Sequence, residues 1–199
     1  MTALTPTSAA PQLGLSRGLG ARRRALLLAV CIATVLALCA PLAANAASAS
    51  SRTVPAPTRG IVDHVADGDT FTLRSGQRVR IIGIDSPEEY FGKHDCGSKP
   101  AAALLRRLLP AGTPVTLRRD AIQPSRDRYG RLLRYVATSQ IADIGLAMIR
   151  SGWAGAYPYG AGNTRETRYR LAAHAARAGH RGGWATCHPL PPAYTHAGG

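Results

Sequence analysis

Residues 58–84 read TRGIVDHVADGDTFTLRSGQRVRIIGI, and three short runs in this stretch decide the fold. Gly60–Ala66, Asp69–Arg74 and Arg78–Ile84 are β-branched or alternate apolar with polar residues. The turn pairs Asp67-Gly68 and Ser75-Gly76 separate them. Period-two alternation punctuated by such pairs predicts a three-stranded meander.

Working outward, Ser98 followed by Lys99-Pro100 and AAALLRRLL predicts a helix capped by Ser98, with Pro in its first turn and a stop at Pro110. Thr113–Arg118 and Arg131–Ala137 read as two further strands. Ile141–Ser151, with Ile144, Met148 and Ile149 on one face and Gly152 after it, reads as a second helix. Asn163-Thr164-Arg165-Glu166 has the spacing of a capping box and predicts a third helix to Ala178, ended by Gly179. The order β-β-β-α-β-β-α-α fits a mainly β, α+β domain, the five-stranded Greek-key barrel called the OB-fold, whose barrel face binds oligonucleotides or oligosaccharides.

The chain has 199 residues, enough for one domain with tails. A hydrophobic fraction of 45% with 18% charged residues excludes a wholly disordered chain, and 21 Gly with 14 Pro argue against a coiled coil or helical bundle. The 25 Lys and Arg against 11 Asp and Glu give a net charge of +14, which makes polyanions the first partners to consider. Arg17, Arg22, Arg23 and Arg24 precede an uncharged run from Ala25 to Ala40, and Ala44-Asn45-Ala46 offers a small-x-small cleavage site. Residues 1–46 therefore read as a secretory signal peptide, with an uncleaved membrane anchor as the alternative and the paired arginines leaving the twin-arginine route open. Residues 47–57 read as a flexible linker, 58–187 as the folded domain and 188–199 as a flexible Pro/Gly tail. The expected mature chain keeps a net charge of +10 and two cysteines, Cys96 and Cys187. In an oxidising compartment they predict one disulfide; the rival is a zinc site using His94 and His188.

Four pieces carry chemistry. They are Asp67-Gly68-Asp69-Thr70, Arg80 ahead of Ile81-Ile82-Gly83-Ile84, Asp85-Ser86-Pro87-Glu88, and Asp127-Arg128-Tyr129-Gly130-Arg131. Two carboxylates at adjacent strand ends, Asp69 and Asp85, repel unless a cation lies between them, and hard oxygen donors without His or thiolate point to calcium. In this order and spacing the pieces D-G-D-T, R-x-x-x-x-D-S-P-E and D-x-Y-G-R resemble the staphylococcal nuclease (thermonuclease) family, over about Thr58 to Cys187.

The resemblance implies a calcium-dependent phosphodiesterase acting on DNA and RNA with little sequence preference and leaving 3′-phosphates. It implies that Asp69, Asp85 and the backbone carbonyl of Ser86 hold one Ca2+, with an affinity on the order of 10⁻⁴ to 10⁻³ M from so few charges. Glu88 is implied as general base or water-positioning residue. Arg80 and Arg131 are implied as phosphate ligands, for which a planar, permanently charged fork is suited. Asp67 and Thr70 would support these groups from behind. Tyr129, Tyr157 and Tyr159 match positions around a bound nucleotide, where stacking is sequence-tolerant. The mature protein is expected outside the cytoplasm, as a monomer without stable membrane association. A noncatalytic OB module binding single strands or another polyanion is the alternative, and it has no use for Asp69, Asp85 and Glu88 beside two arginines.

Overall fold

The computed structural model describes residues 55–90, 92–188 and 190–195. The signal peptide and most of the linker lie outside the described residues. Among those described, no helix is long and apolar enough to cross a membrane.

Five strands form a closed barrel. β1 (Thr58–Val65), β2 (Thr70–Leu73) and β3 (Arg78–Ile81) are the expected antiparallel meander; β7 (Pro114–Arg118) and β8 (Leu132–Ala137) complete the wall. β3 pairs with β8 in parallel, and β7 closes the ring antiparallel to both β8 and β1. The barrel with its accompanying helices is the α+β OB-fold that the strand order predicts. Val62, Phe71, Val79, Ile81, Val115 and Val136 fill the interior. Each large apolar side chain buried there is worth roughly 1.5–3 kcal/mol relative to exposure.

The predicted third strand ends early. Gly83 takes φ +80°, and a Cβ at this position would lie 2.8 Å from the ring of Tyr169, so only glycine fits both the turn and the contact. The chain restarts as β4 (Ile84–Asp85), which leaves the barrel to pair with β9 (Gly155–Ala156). A hairpin absent from the sequence reading, β5 (Glu89–Tyr90) with β6 (Lys93–His94), follows.

Helix α1 (Ser98–Leu108) buries Ala101, Ala102 and Leu105 and exposes Arg106 and Arg107. Its cap is Gly97 at φ 91°, not Ser98, which sits inside the first turn. Helix α2 (Ile144–Arg150) starts three residues later than expected because the Asp143 carboxylate accepts the Leu146 N–H and fixes the start there. Helix α3 (Glu166–Ala178) has the expected end at Gly179, but the capping box does not form. Asn163 is drawn away: its Oδ1 accepts the Arg165 N–H and the Tyr135 hydroxyl, each at 3.1 Å, and not the Glu166 N–H.

Two further short helices follow, α4 (Gly183–Thr186) at the end of the domain and α5 (Pro192–Thr195) within the segment read as a tail. Tyr194 is buried against Trp184, with ring centroids 4.7 Å apart, and donates its hydroxyl to the Gly152 carbonyl at 2.8 Å. Part of the segment after His188 is thus packed. Cys96 and Cys187 are joined as a disulfide across 91 residues, and no metal-binding group of three His, Cys, Asp or Glu exists among the described residues.

Two aspartates tie the helical layer to the barrel. Asp143 caps α2, accepts the Tyr169 hydroxyl at 2.7 Å and pairs with Arg165 at 2.8 Å. Asp120 accepts from Ile122, Gln123, Tyr135 and Thr164. Burial opposes its ionisation, but hydrogen bonds from Thr164 and Tyr135, then backbone N–H groups, hold it down at about 2. A folded value below the unfolded one, near 3.9, contributes stability that is complete above about pH 4 and is lost as pH falls through about 2.

Three outcomes are expected. Asp120→Asn should flatten the acid arm of stability, so that the urea midpoint changes less than wild type between about pH 5 and pH 2; an unaltered arm would remove Asp120 from the acid transition. Replacing Cys96 and Cys187 together by Ala should lower the melting temperature, with an upper limit of about 4 to 5 kcal/mol for a loop of this length. Thiol titration of the folded wild type should find neither of these two cysteines free.

Candidate active site

The D-G-D-T turn joins β1 to β2 and brings Asp69 and Thr70 to one end of the barrel. Asp67 shapes it by accepting the N–H groups of Asp69 and Thr70 at 2.9 and 2.7 Å. Gly68 lets the turn lie close: a Cβ there would come within 2.8 Å of both Ser86 and Ala101. Thr70 is the cross-strand partner of Arg80, so strand register alone sets Asp69 and Thr70 beside that arginine.

Arg80 is 2% exposed and lies between two carboxylates. Its Nη1 is 2.5 Å from Asp69 Oδ2, and its Nη2 is 2.6 Å from Asp85 Oδ1. Burial alone would lower its affinity for its proton, yet Asp69, Tyr159 and Asp85 together raise it above the ordinary value, so the group stays charged. Asp69 Oδ2 also accepts the Ser86 N–H and hydroxyl, each at 2.8 Å, and Asp69 Oδ1 accepts the Thr70 hydroxyl at 3.0 Å. Asp85 reaches the cluster because β4 has left the barrel wall.

Glu88 follows on a loop held at both ends, by Ser86 on Asp69 and by Asp95, whose carboxylate accepts the Glu88 N–H at 3.2 Å. Burial first, then the charge of Asp69, push Glu88 above the ordinary carboxylate range, while Arg80 and Arg131 act in the opposite direction. Burial and Asp69 likewise push Asp67 up to about 7. Asp67, Asp69, Asp85 and Glu88 thus share this end of the barrel with two arginines, one of which, Arg131, is already paired to Asp127.

Arg131 enters from the start of β8. Its Nε donates to Asp127 Oδ2 at 2.6 Å, and its Nη1 donates to Thr70 Oγ1 at 3.4 Å. Asp127 also accepts the N–H groups of Tyr129 and Arg131, and these contacts with Arg131 lower it despite its burial. Tyr129 is 63% exposed, with the guanidinium of Arg131 5.4 Å from its ring centre.

Tyr159 donates no support from afar but touches the centre, its hydroxyl accepting from Arg80 Nη2 at 3.2 Å. Tyr157 packs edge-on against Tyr159 at 4.2 Å. Tyr159 has φ +39°, a costly value for a tyrosine. Gln123 holds that conformation by donating its amide to the carbonyls of Tyr159 and Gly162, at 2.7 and 2.5 Å. Sequence reasoning missed Gln123, which carries no motif signal. Asp127 was visible in D-x-Y-G-R but was given no role, although its spacing of four residues from Arg131 suits an ion pair.

The sequence-derived set thus divides plainly. Asp67, Asp69, Thr70, Arg80, Asp85, Ser86, Glu88, Arg131 and Tyr159 form one connected group; Tyr157 and Tyr129 flank it; the disulfide lies beyond, next to Asp95. Asp69 and Asp85 could hold a divalent cation. Their hard-oxygen chemistry fits, and the repulsion among the acids gathered around them is what a dication would relieve. With no cluster of three candidate side-chain ligands among the described residues, the protein supplies few charges to it.

Residues 78–186 match the family described as Staphylococcal nuclease homologue. The chain is 33% identical over 140 residues to an "Uncharacterized endonuclease" of Escherichia coli O157:H7, covering 69% of this chain and 84% of that protein. It is 31% identical over 144 residues to "Endonuclease YhcR" of Bacillus subtilis (strain 168), covering 66% of this chain but only 12% of that longer protein. The strand order, the motif-bearing strand ends and this match over more than half of the chain place it in the staphylococcal nuclease family.

Proposed function

We propose that this chain is an exported, calcium-dependent nuclease that hydrolyses phosphodiester bonds of DNA and RNA with little sequence preference and leaves 3′-phosphates. One observation carries the reading. Arg80 lies between Asp69 and Asp85, Arg131 reaches Thr70 beside them, and the loop tied to Asp69 through Ser86 brings Glu88 within reach of all four charges. A general base, two acids and two arginines around one point are what phosphodiester hydrolysis requires, and a purely structural corner does not need them. The two endonuclease-named relatives support the same class of activity.

In this reading Glu88 accepts a proton from the attacking water, the new P–O bond forms, the P–O5′ bond breaks, and the departing O5′ takes a proton from solvent to become a 5′-hydroxyl. Its raised proton affinity suits a base. Arg131, at the rim with 16% of its side chain exposed, meets the phosphate first, and Asp127 keeps its fork oriented. Arg80 stabilises charge on the five-coordinate phosphorus from below. Asp69, Asp85 and the Ser86 carbonyl would hold calcium, which when bound would neutralise a phosphate oxygen and orient the water. Tyr157 and Tyr159 offer faces and edges for a base or sugar, and Tyr129 stands at the rim. Residues 1–46 act as the export signal, 47–57 as a linker, and the mature chain as a monomer in an oxidising compartment, which the disulfide suits.

A noncatalytic polyanion binder is the second reading, favoured by the net charge of +14. It leaves the acids without a task.

Cleavage of single-stranded DNA and RNA should depend on added calcium, stop with a chelator and yield 3′-phosphate ends; salt-sensitive binding without cleavage would favour the second reading. Glu88→Gln should lower kcat by about 10²- to 10⁴-fold with affinity largely kept, and an unchanged kcat would take Glu88 out of the reaction. Arg131→Lys should lose most of kcat, because one ammonium cannot reproduce the fork. Asp127→Asn should impair the same step more mildly, measured on the same substrates.

A further inference from the structure

The start of β1, the end of β2 and the start of β8 enclose a groove of about 630 Å³ on the barrel wall. Arg59, Arg74, Arg126 and Arg134 line it, and no aspartate or glutamate does. None of Asp69, Arg80, Asp85, Glu88 and Arg131 contributes to its lining.

Arg134 is the unusual member. It is 7% exposed, and its guanidinium donates to the carbonyls of Ser125 and Leu133 at 2.9 and 2.6 Å and to the Ser125 hydroxyl at 3.2 Å. Those partners orient the fork without neutralising it. Elsewhere Arg80, Arg131 and Arg165 each sit on an aspartate. Among the described residues none of the four groove arginines has a carboxylate partner. Burial, then the like charges of Arg119 and Arg126, lower the proton affinity of Arg134, which is the mark of an unrelieved positive field. A concavity lined by one sign of charge attracts the opposite sign.

Topology says which anion. β8 begins just after Arg131 and carries Arg134, three residues or about 10 Å further along. The loop between the two regions is fixed as well: Arg126 bridges to Leu132 and donates to the Gly130 carbonyl at 2.6 Å, and the next residue, Asp127, holds Arg131. Arg126, which lines the groove, is thus the neighbour of the aspartate that holds Arg131, so a polymer with a phosphate at Arg131 can place another in the groove within a few nucleotides. Ile61 in the lining, 41% exposed, offers apolar surface for its sugars.

We propose that this groove grips the phosphodiester backbone of the nucleic-acid substrate away from the scissile bond, an assignment that rests on the nuclease reading above. It makes the enzyme favour long strands over short ones.

The test uses the full chain, a double variant Arg59→Ala/Arg74→Ala, and a control Arg106→Ala/Arg107→Ala that removes the same charge from exposed positions on α1. Binding of a long single-stranded oligonucleotide is titrated against salt with a chelator present, so that no cleavage intervenes. The groove variant should lower the slope of log K against log salt by about 1.4, two contacts at about 0.7 each. With calcium it should raise KM for the long strand several-fold while leaving kcat, and all parameters for a dinucleotide, at wild-type values. The control should shift the slope far less. An unchanged slope in the groove variant, or an equal fall in the control, overturns the groove. Wild-type protein that cleaves neither substrate overturns the nuclease reading instead, and the salt slopes in chelator still decide the groove by themselves.

Discussion

A guanidinium with 2% of its surface exposed is tolerable in a barrel wall only while carboxylates meet it, and Arg80 meets two. Much of the local architecture follows from that requirement. Asp69 must turn inward, which recruits the Ser86 N–H and hydroxyl and so sets the course of the chain toward Glu88. Asp85 must reach the other nitrogen, which demands that the chain leave the barrel at Gly83 and pair with Gly155–Ala156. That pairing delivers Tyr157 and Tyr159 to the same rim. A buried ion pair of this kind adds little net stability, since desolvation offsets most of the attraction, but removing one partner costs about 3–5 kcal/mol. Its contribution is positional: it makes one arrangement of three chain segments far better than the alternatives.

The two arginines differ physically although their motifs look alike. Arg80 is an internal counterion whose nitrogens are engaged by Asp69, Asp85 and Tyr159. Arg131 is held by one aspartate four residues back, and its side chain keeps 16% of its surface open. The first therefore sets the depth of the site and the second its entrance. Around them Asp67 and Glu88 resist ionisation because burial and Asp69 act in the same direction. The centre is thus an acid-rich pocket with a basic rim, Arg80 enclosed by carboxylates and Arg131 open to solvent.

The meander was legible because both of its signals are local: period-two alternation and the Asp-Gly and Ser-Gly turns. The site motifs were legible for the same reason, each lying at a strand end whose position the fold determines. Long-range partners decided what was misread. Asn163 has the spacing for a capping box, but Tyr135, twenty-eight residues away, donates its hydroxyl to the Asn163 side chain. Ile141 continues an apolar face, but Asp143 caps the helix inside that pattern. Tyr194 stands among prolines and glycines and looks like a tail residue until Trp184 and the Gly152 carbonyl meet it. Gln123 is invisible in sequence because its task is defined by a tyrosine with an unusual backbone angle thirty-six residues on.

The same distinction changes the meaning of the arginine excess. Counted along the chain, 23 Arg against 2 Lys looks like a bias of composition. Among the described residues two kinds of arginine stand apart. Arg80 and Arg165 use opposite sides of the fork or a ring face, with Arg165 3.9 Å over Tyr135 while also paired to Asp143. An ammonium has one point of charge and no plane, so lysine could not occupy these positions with equal satisfaction. Arg134 uses its fork on neutral carbonyls and a hydroxyl, and so keeps its charge uncancelled. Three acids, Asp69, Asp85 and Asp143, are spent on the first kind. The positive field is consequently uneven: weak where arginine builds the core of the site, and strong along the wall where no acid answers it.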